Sequence, residues 1–240
     1  MTIEKLKSII ENSNNIVFFG GAGVSTESNI PDFRSATGLY KNDNNQKYSP
    51  EYMLSHTFFM KHTEEFFEFY KSKMIYTEAK PNKAHLALAE LERRGKLQAV
   101  ITQNIDGLHQ MAGSKNVLEL HGSVHRNYCM DCKKDYDLDF VLGARSIPIC
   151  VECGGIVRPD VVLYEEGLNM HIMDRALDYI RNADVLIVGG TSLSVYPAAN
   201  LVEYYRGDKL ILINKSETHF DRRALLTFND NIGEVLSKVL

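Results

Sequence analysis

Short apolar runs of strand length alternate along the chain with longer segments in which apolar residues recur at helical spacing. The helical spacing predicts helices over 3–12, 61–75, 84–94, 171–181, 198–205 and 231–240. The apolar runs predict strands over 16–19, 98–102, 117–120, 161–164, 185–188 and 210–213. This alternation is typical of an α/β fold in which helices cover both faces of a parallel sheet. Because ligands of such folds bind at the carboxyl ends of the strands, we expect a site built from several separate loops.

Two regions, 36–77 and 124–157, do not follow this alternation. The first is polar at its start and then carries an aromatic helical pattern, which predicts a helical insert. The second is rich in turn residues and holds all four cysteines of the chain. We expect the two regions to form a small domain. The remaining segments, 1–35, 78–123 and 158–240, would then form a discontinuous sheet domain.

The four cysteines form two Cys-x-x-Cys pairs, which 17 residues separate. This is the spacing of a structural zinc site, in which four thiolates complete a tetrahedron and leave no position open for water. The predicted zinc ligands are Cys129, Cys132, Cys150 and Cys153. Redox-active pairs and coincidental turns are weaker alternatives, because no cysteine falls outside the pattern. A zinc ribbon that binds nucleic acid is also weaker, because acidic and basic residues are mixed around the cysteines.

Composition and net charge are ordinary for a globular protein and give no sign of a membrane or nucleic-acid partner. The chain has 240 residues, of which 44% are hydrophobic and 24% charged, and its formal net charge is −4. This charge gives no global basic field for nucleic acid or an anionic membrane. The first residues lack the apolar core of a signal peptide, and no run approaches the roughly 18 apolar residues of a membrane span. We therefore expect a soluble cytoplasmic protein without a membrane or clear nucleic-acid partner. No pattern in the sequence fixes its oligomeric state.

A glycine-rich turn, Gly21-Ala22-Gly23, follows the first predicted strand. Glycines in this position let a phosphate approach the backbone, and the following amides can donate to it. The dinucleotide fingerprint is incomplete, because Thr26 stands where its third glycine would be, and a tight turn without a ligand remains an alternative for this fragment alone. The segment that follows, Asp32-Phe33-Arg34, places an acid, an aromatic ring and a base beside the turn. That combination would suit a nucleotide clamp.

These blocks, taken together and in order, resemble the sirtuin family in its bacterial form. The matching segments are 21–34, 102–106, 121–122, the four cysteines, 190–193 and 197–199, so the resemblance covers nearly the whole chain. It implies a Rossmann-like NAD-binding sheet with an inserted zinc-binding module. It also implies an NAD-dependent protein lysine deacylase, which transfers the acyl group of a modified lysine to ADP-ribose and releases nicotinamide. Its partners would be proteins that carry acylated lysines, and its cofactors NAD and one structural zinc ion.

By resemblance, the NAD site is lined by residues from the loops after four predicted strands. They are Gly21, Ala22, Gly23, Asp32, Phe33, Arg34, Gln103, Asn104, Ile105, Asp106, Gly190, Thr191, Ser192 and Asn214. The expected catalytic residues are His121 and Asn104. His121 would act as the general base on a ribose hydroxyl, for which an imidazole is suited because its ordinary pKa lies near neutral pH. His121 also ends a predicted strand, where active-site residues of open α/β sheets lie.

The acyl-lysine substrate is expected to lie as an extended strand against Val161, Val162, Leu163 and Tyr164. Two positions depart from the family pattern, because Glu165 and Asn29 stand where the family commonly has glycine. Asparagine tolerates a left-handed backbone, so we expect the turn at Asn29 to survive.

Tyr70 and Lys73 are candidates for the acyl pocket. Relatives that prefer acidic acyl groups carry Tyr-x-x-Arg, and Lys73 keeps the charge of that arginine without its bidentate fork. The alternative, which we favour, is that Tyr70 belongs to the core of its helix and Lys73 is solvated. Deacetylation, or removal of other uncharged acyl groups, is accordingly favoured over removal of acidic acyl groups.

Two alternative functions use the same scaffold. One is mono-ADP-ribosyl transfer to protein, and the other is NAD binding by a sensor without catalysis. Deacylation is favoured over the first because only deacylation needs the base His121 after nicotinamide leaves. It is favoured over the second because a sensor has no need of Asn104, Asp106 and His121 together.

Overall fold

A computed structural model describes residues 2–33 and 47–240 of the chain. Arg34, predicted to line the NAD site, lies outside these residues. The strands are β1 (Ile16–Gly20), β2 (Leu97–Thr102), β3 (Val117–Glu119), β4 (Gly122–Cys129), β5 (Asp135–Tyr136), β6 (Val157–Val161), β7 (Val185–Gly189), β8 (Leu210–Ile213) and β9 (Leu226–Phe228). The α-helices are α1 (Thr2–Glu11), α2 (Pro50–Met53), α3 (His56–Lys61), α4 (Thr63–Lys73), α5 (Lys83–Arg93), α6 (Leu108–Met111), α7 (Leu138–Gly143), α8 (Met170–Asn182) and α9 (Ile232–Ser237). Short 3₁₀ segments span Ala22–Val24, Thr26–Ser28, Ala198–Tyr204 and Asp221–Arg223.

Six strands form one parallel sheet in the order β3-β2-β1-β7-β8-β9. Alternate residues of β1 point to opposite faces, so that Phe18 belongs to one apolar cluster and Phe19 to another. The first cluster is completed by α1, α5 and α9, and the second by α8 and the segment 198–205. The sheet is therefore covered on both faces, as the sequence predicts for this α/β class.

The chain leaves β1 toward β2 and β3 on one side and returns to β7, β8 and β9 on the other. The strand order consequently reverses between β1 and β7. In open α/β sheets, the crevice outside the carboxyl ends of the strands at such a point is where ligands bind. The loops that follow β1 and β7 meet at this crevice.

A second, antiparallel sheet has the order β5-β4-β6 and carries the cysteines. It packs with α3 and α4 around a third apolar cluster, to which both predicted inserts contribute. Its buried members are Leu54, Phe58, Phe59, Phe66, Phe67, Phe69, Tyr70, Val124, Cys129, Val141, Cys150, Val157, Val161 and Leu163. Burial of this shared cluster is what holds the two inserts against each other.

Several elements differ from the sequence prediction. The helix predicted over 61–75 is interrupted at His62, which has a non-helical backbone between α3 and α4. The helix predicted over 198–205 is a 3₁₀ segment. The strand predicted over 161–164 instead spans Val157–Val161. The sequence missed its start because Arg158 and Pro159 interrupt the apolar pattern. β9 was not predicted, since three residues give too short a pattern. Within the described ranges, no helix is long and apolar enough to cross a membrane.

Candidate active site

A cavity of about 1070 Å³ opens at the carboxyl ends of the large sheet and extends to the three-stranded sheet. It brings together, from separate loops, the predicted NAD and substrate residues that the structure describes. Those lining it are Gly21, Ala22, Gly23, Asp32, Phe33, Tyr70, Lys73, Gln103, Asn104, Ile105, Asp106, His121, Val161, Val162, Leu163, Tyr164, Gly190, Thr191, Ser192 and Asn214. Residues far apart in sequence thus form one continuous lining, which can accommodate a dinucleotide-sized ligand beside a second substrate.

The floor of the cavity is formed where the loops after β1 and β7 touch. Gly23 donates its N–H to the Gly190 carbonyl at 2.8 Å. A Cβ atom on Gly23 would lie 2.8 Å from the Gly190 Cα, so a larger residue would force these loops apart. Two further bonds fix the neighbouring loops, because Gln103 Nε2 donates to Thr191 Oγ1 at 3.1 Å and Thr191 N–H donates to Asn214 Oδ1 at 3.0 Å. The loops after β1, β2, β7 and β8 are thereby held in one arrangement.

Ser25 links the glycine-rich turn to the loop after β2. Its hydroxyl donates to Asp106 Oδ2 at 2.6 Å and accepts from Asn104 Nδ2 at 3.0 Å. The second Asp106 oxygen accepts from the Leu108 N–H at 2.9 Å. Asn104 and Asp106 are thus oriented before any ligand binds. Ser25 was not among the predicted site residues, and the only signal in the sequence was its place directly after the glycines.

His121 lies between β3 and β4, where the large sheet passes into the three-stranded sheet. Its Nδ1 is 2.9 Å from the Gln103 carbonyl oxygen. A carbonyl only accepts, so Nδ1 carries the proton and Nε2 is left as the basic nitrogen. Burial lowers the pKa of His121, and the bond to the Gln103 carbonyl partly opposes that change. The imidazole is therefore neutral at pH 7 and able to accept a proton.

The main chain of His121 also contacts the predicted substrate segment. Val162 N–H donates to the His121 carbonyl at 3.0 Å. Farther along the same segment, Tyr164 N–H donates to the Leu54 carbonyl and the Tyr164 carbonyl accepts from His56 N–H, each at 3.0 Å. The segment 161–164 is thus an extended wall of the cavity, tied to the large sheet at one end and to α3 at the other.

Tyr70 is fully buried in the third apolar cluster, where its ring stacks on Phe66 with 5.7 Å between centroids. Its burial raises the pKa of the phenol, which stays neutral. Its hydroxyl has no hydrogen-bond partner within the described part of the chain. Tyr70 belongs to the core, as the favoured alternative expects, and it also lines the cavity together with Lys73.

The four cysteine sulfurs converge at the ends of β4 and β6 and lie within 4.8 Å of one another. The Cys129–Cys153 and Cys132–Cys150 sulfur separations are 3.4 and 3.6 Å. These are too long for disulfides. They approach the roughly 3.8 Å that a tetrahedral ion with Zn–S bonds of about 2.3 Å requires. The donor set and its geometry therefore fit a structural zinc ion.

Comparisons with known proteins agree with this geometry. The family model described as Sir2 family matches residues 21–197. A Clostridium tetani (strain Massachusetts / E88) protein named NAD-dependent protein deacetylase is 65% identical over 240 residues, which cover 100% of this chain and 97% of that protein. A Cutibacterium acnes (strain DSM 16379 / KPA171202) protein of the same name is 53% identical over 239 residues, which cover 100% and 98%.

Solved structures show the same likeness in three dimensions. A Sir2 structure with a p53 peptide and NAD+ has a TM-score of 0.86 and 40% sequence identity, covering 100% of this chain and 97% of that chain. A Sir2 structure bound to acetylated peptide has a TM-score of 0.87 and 39% identity, with the same coverage.

Proposed function

The chain belongs to the Sir2 family, and on that premise we propose that it is an NAD-dependent protein lysine deacylase that acts mainly as a deacetylase. It transfers the acyl group from lysine to ADP-ribose and releases nicotinamide. The observation that carries this proposal is the position of His121. This neutral, half-buried imidazole lies in the cavity wall between the glycine-rich loops and the extended segment 161–164.

In this proposal, His121 Nε2 takes the proton of a ribose hydroxyl, while the Gln103 carbonyl holds the ring through Nδ1. NAD, when bound, supplies the ribose that accepts the acyl group. Asn104, oriented by Ser25, contacts that ribose. The turn at Gly21–Gly23 and the residues Gly190–Ser192 border the phosphates. The glycines let the phosphates approach the backbone, and the hydroxyls of Thr191 and Ser192 contact them. Asn214 binds the adenosine ribose, and Arg34, by the family resemblance alone, completes the NAD site.

The remaining NAD contacts surround the nicotinamide. Asp32 and Ile105 hold the nicotinamide, and Phe33 covers the reacting ribose. Gln103 and Asp106 complete this part of the site. All five residues contribute to the wall of the cavity.

The substrate is a protein with an acylated lysine, which lies as an extended strand along Val161–Tyr164. Tyr70 closes the apolar side of the acyl pocket. Lys73 lies at the pocket without the bidentate fork that favours a carboxylate, which supports uncharged acyl groups such as acetyl. The sequence composition supports a cytoplasmic location.

One zinc ion, held by Cys129, Cys132, Cys150 and Cys153, stabilises the module that covers this pocket. We assign residues 36–77 and 124–157 to a small domain, and 1–35, 78–123 and 158–240 to the NAD-binding domain. The cluster shared by the two inserts supports this division.

The decisive experiment measures nicotinamide release from NAD, with and without an acetyl-lysine peptide, for the wild type and His121→Ala. We expect nicotinamide release that depends on the peptide, together with acetyl transfer to ADP-ribose. In His121→Ala the steady-state rate of acetyl transfer should fall about 10²- to 10⁴-fold. ADP-ribose attached to protein without deacetylation would favour the transferase alternative. NAD binding without release on any acyl peptide would favour a sensor.

A further inference from the structure

Glu165 occupies a backbone conformation that residues other than glycine seldom adopt. Its φ is 76°, in the left-handed region where a side chain is strained. A strained residue persists only where its surroundings fix it, and such residues cluster at functional sites. Glu165 contributes to the wall of the cavity and follows directly after the extended segment 161–164.

The side chain of Glu165 accounts for this conformation. Its Oε2 accepts a hydrogen bond of 2.8 Å from the Thr57 N–H in the first turn of α3. N–H groups in the first turn of a helix have no partner within the helix, and a carboxylate there is also favoured by the helix dipole. Ser55 Oγ accepts from the neighbouring Phe58 N–H at 3.1 Å, so Ser55 and Glu165 together cap this turn. The bond from Thr57 lowers the pKa of Glu165.

Glu166 anchors the other side of the same turn. Its carboxylate accepts from Arg158 at 2.7 and 3.0 Å, from the Leu163 N–H at 2.9 Å, and lies 2.9 Å from His56 Nδ1. Two consecutive carboxylates therefore attach the turn to β6 and to α3. The turn cannot shift without breaking bonds on both sides.

The main-chain N–H and C=O of Glu165 remain available. Neither forms a hydrogen bond with any residue that the structure describes. An extended peptide binds to an exposed edge through such groups, and its affinity rises when they are already in place.

We propose that the Glu165 side chain, bonded to the Thr57 N–H, locks residue 165 in its left-handed conformation and so positions its main-chain N–H and C=O for the acyl-lysine peptide. This inference rests on the proposed function for the identity of the peptide. Glu165 is a positioning residue: its carboxylate does not touch the substrate and acts through its own backbone.

Two substitutions separate this role from a merely structural one. Glu165→Gly adopts the same φ without strain but loses the bond, so the fold is kept while the turn is freed. Glu165→Gln keeps the length and an acceptor oxygen but loses the charge. We expect Glu165→Gly to raise the KM and the Kd of an acetyl-lysine peptide about 3- to 10-fold, which one hydrogen bond can supply. The kcat, the KM for NAD and the Tm should stay close to the wild type. Glu165→Gln should restore peptide KM to within about twofold.

Peptide Kd from fluorescence anisotropy and amide exchange of residues 163–167 complete the test. Faster exchange in Glu165→Gly at unchanged Tm supports the lock, and unchanged exchange or unchanged peptide Kd overturns it. If Glu165→Gln is as defective as Glu165→Gly, the carboxylate acts by its charge and the proposal is wrong. A wild type that binds the peptide but does not deacetylate it contradicts the proposed function instead, and the Kd and exchange comparisons still decide the role of Glu165.

Discussion

The large sheet buries every residue of β1 and β7, whereas the three-stranded sheet leaves two of its four cysteines, Cys132 and Cys153, exposed. The first is covered by an apolar cluster on each face. The second has one cluster on one side, and β5 has only two residues. Hydrophobic burial is therefore sufficient to explain the large sheet. The segment 124–157, called the cysteine region below, needs the additional constraint of a metal ion, as small modules with little core usually do.

Removing the metal should produce the largest effect. Chelation, or Cys150→Ala, should release the segment 124–157 and abolish deacetylation, because the wall of the acyl pocket is built on it. The large sheet should persist. Hydrogen exchange, which distinguishes local from global opening, is the measurement: amides of β4 and β5 should lose protection while those of β2 keep it. Equal loss of protection in both sheets would contradict the difference between the two regions.

The same truncation in each region provides a matched comparison. Phe18 and Phe59 are both buried, at 0% and 1% exposure, but belong to different clusters. Phe→Ala at such sites costs about 3–5 kcal/mol. We expect Phe18→Ala to lower the free energy of global unfolding by this amount. Phe59→Ala should instead lower the free energy of local opening of the third apolar cluster and the cysteine region, and the β2 amides should stay protected. Denaturant titrations followed by amide exchange test this, and identical behaviour of the two variants would show a single cooperative unit.

The same difference decides how much the sequence could predict. β1, β7 and β8 were found because strands buried on both faces are continuous apolar runs, and the cysteines because metal geometry fixes their spacing. The bounds of β6 could not be predicted, because the strand buries Arg158. That burial depends on the ion pair of Arg158 with Glu166, which no local sequence pattern shows. The role of Ser25 likewise depends on a partner 81 residues away. The left-handed backbone of Glu165 depends on a contact with α3.

Lowering the pH should destabilise the large sheet, by less than the truncations above, through two buried histidines. His85 and His109 are both buried beside it, with 4.7 Å between ring centroids. Burial lowers the pKa of His85 to about 4 and that of His109 to about 3. In the unfolded chain both titrate near 6.5, so between pH 6.5 and about 4 the unfolded state binds more protons. The free energy of unfolding should therefore fall as the pH falls through this window.

His109→Leu tests the source of this acid sensitivity. Neither ring nitrogen of His109 has a hydrogen-bond partner in the described residues, so an apolar replacement leaves no group unsatisfied. We expect the pH dependence of the unfolding free energy between pH 6 and 4.5 to decrease by up to about 1.4 kcal/mol per pH unit, which corresponds to one proton. Urea titrations at several pH values, followed by the protection of β2 amides, measure it. An unchanged slope would place the titrating group elsewhere.

The smallest expected effect concerns the left-handed backbone conformation, which Asn29 adopts beside the large sheet and Glu165 adopts beside the three-stranded sheet. Asn29, in the loop after β1, has φ 63° and ψ 23°, so the turn survives the departure from glycine as the sequence predicted. Its N–H donates to the Thr26 carbonyl at 3.2 Å, and no side-chain contact of the kind made by Glu165 is needed, because asparagine tolerates this conformation. Asn29→Gly should change the unfolding free energy by less than about 0.5 kcal/mol, whereas Asn29→Ala should lower it by about 1 kcal/mol.

Denaturant titrations of these two variants, with the KM for NAD as a second measurement, also decide how position 29 differs from position 165. At position 29 the backbone preference of asparagine is sufficient to maintain the left-handed turn, so Asn29→Gly should leave the KM for NAD within about twofold of the wild type. At Glu165 the conformation depends on a bond across to α3, so Gly should weaken binding of the peptide. If Asn29→Gly instead raised the KM for NAD as strongly as Glu165→Gly raises the KM for the peptide, stiffness of the turn itself would be the common requirement. The side-chain bond of Glu165 would then have no separate role.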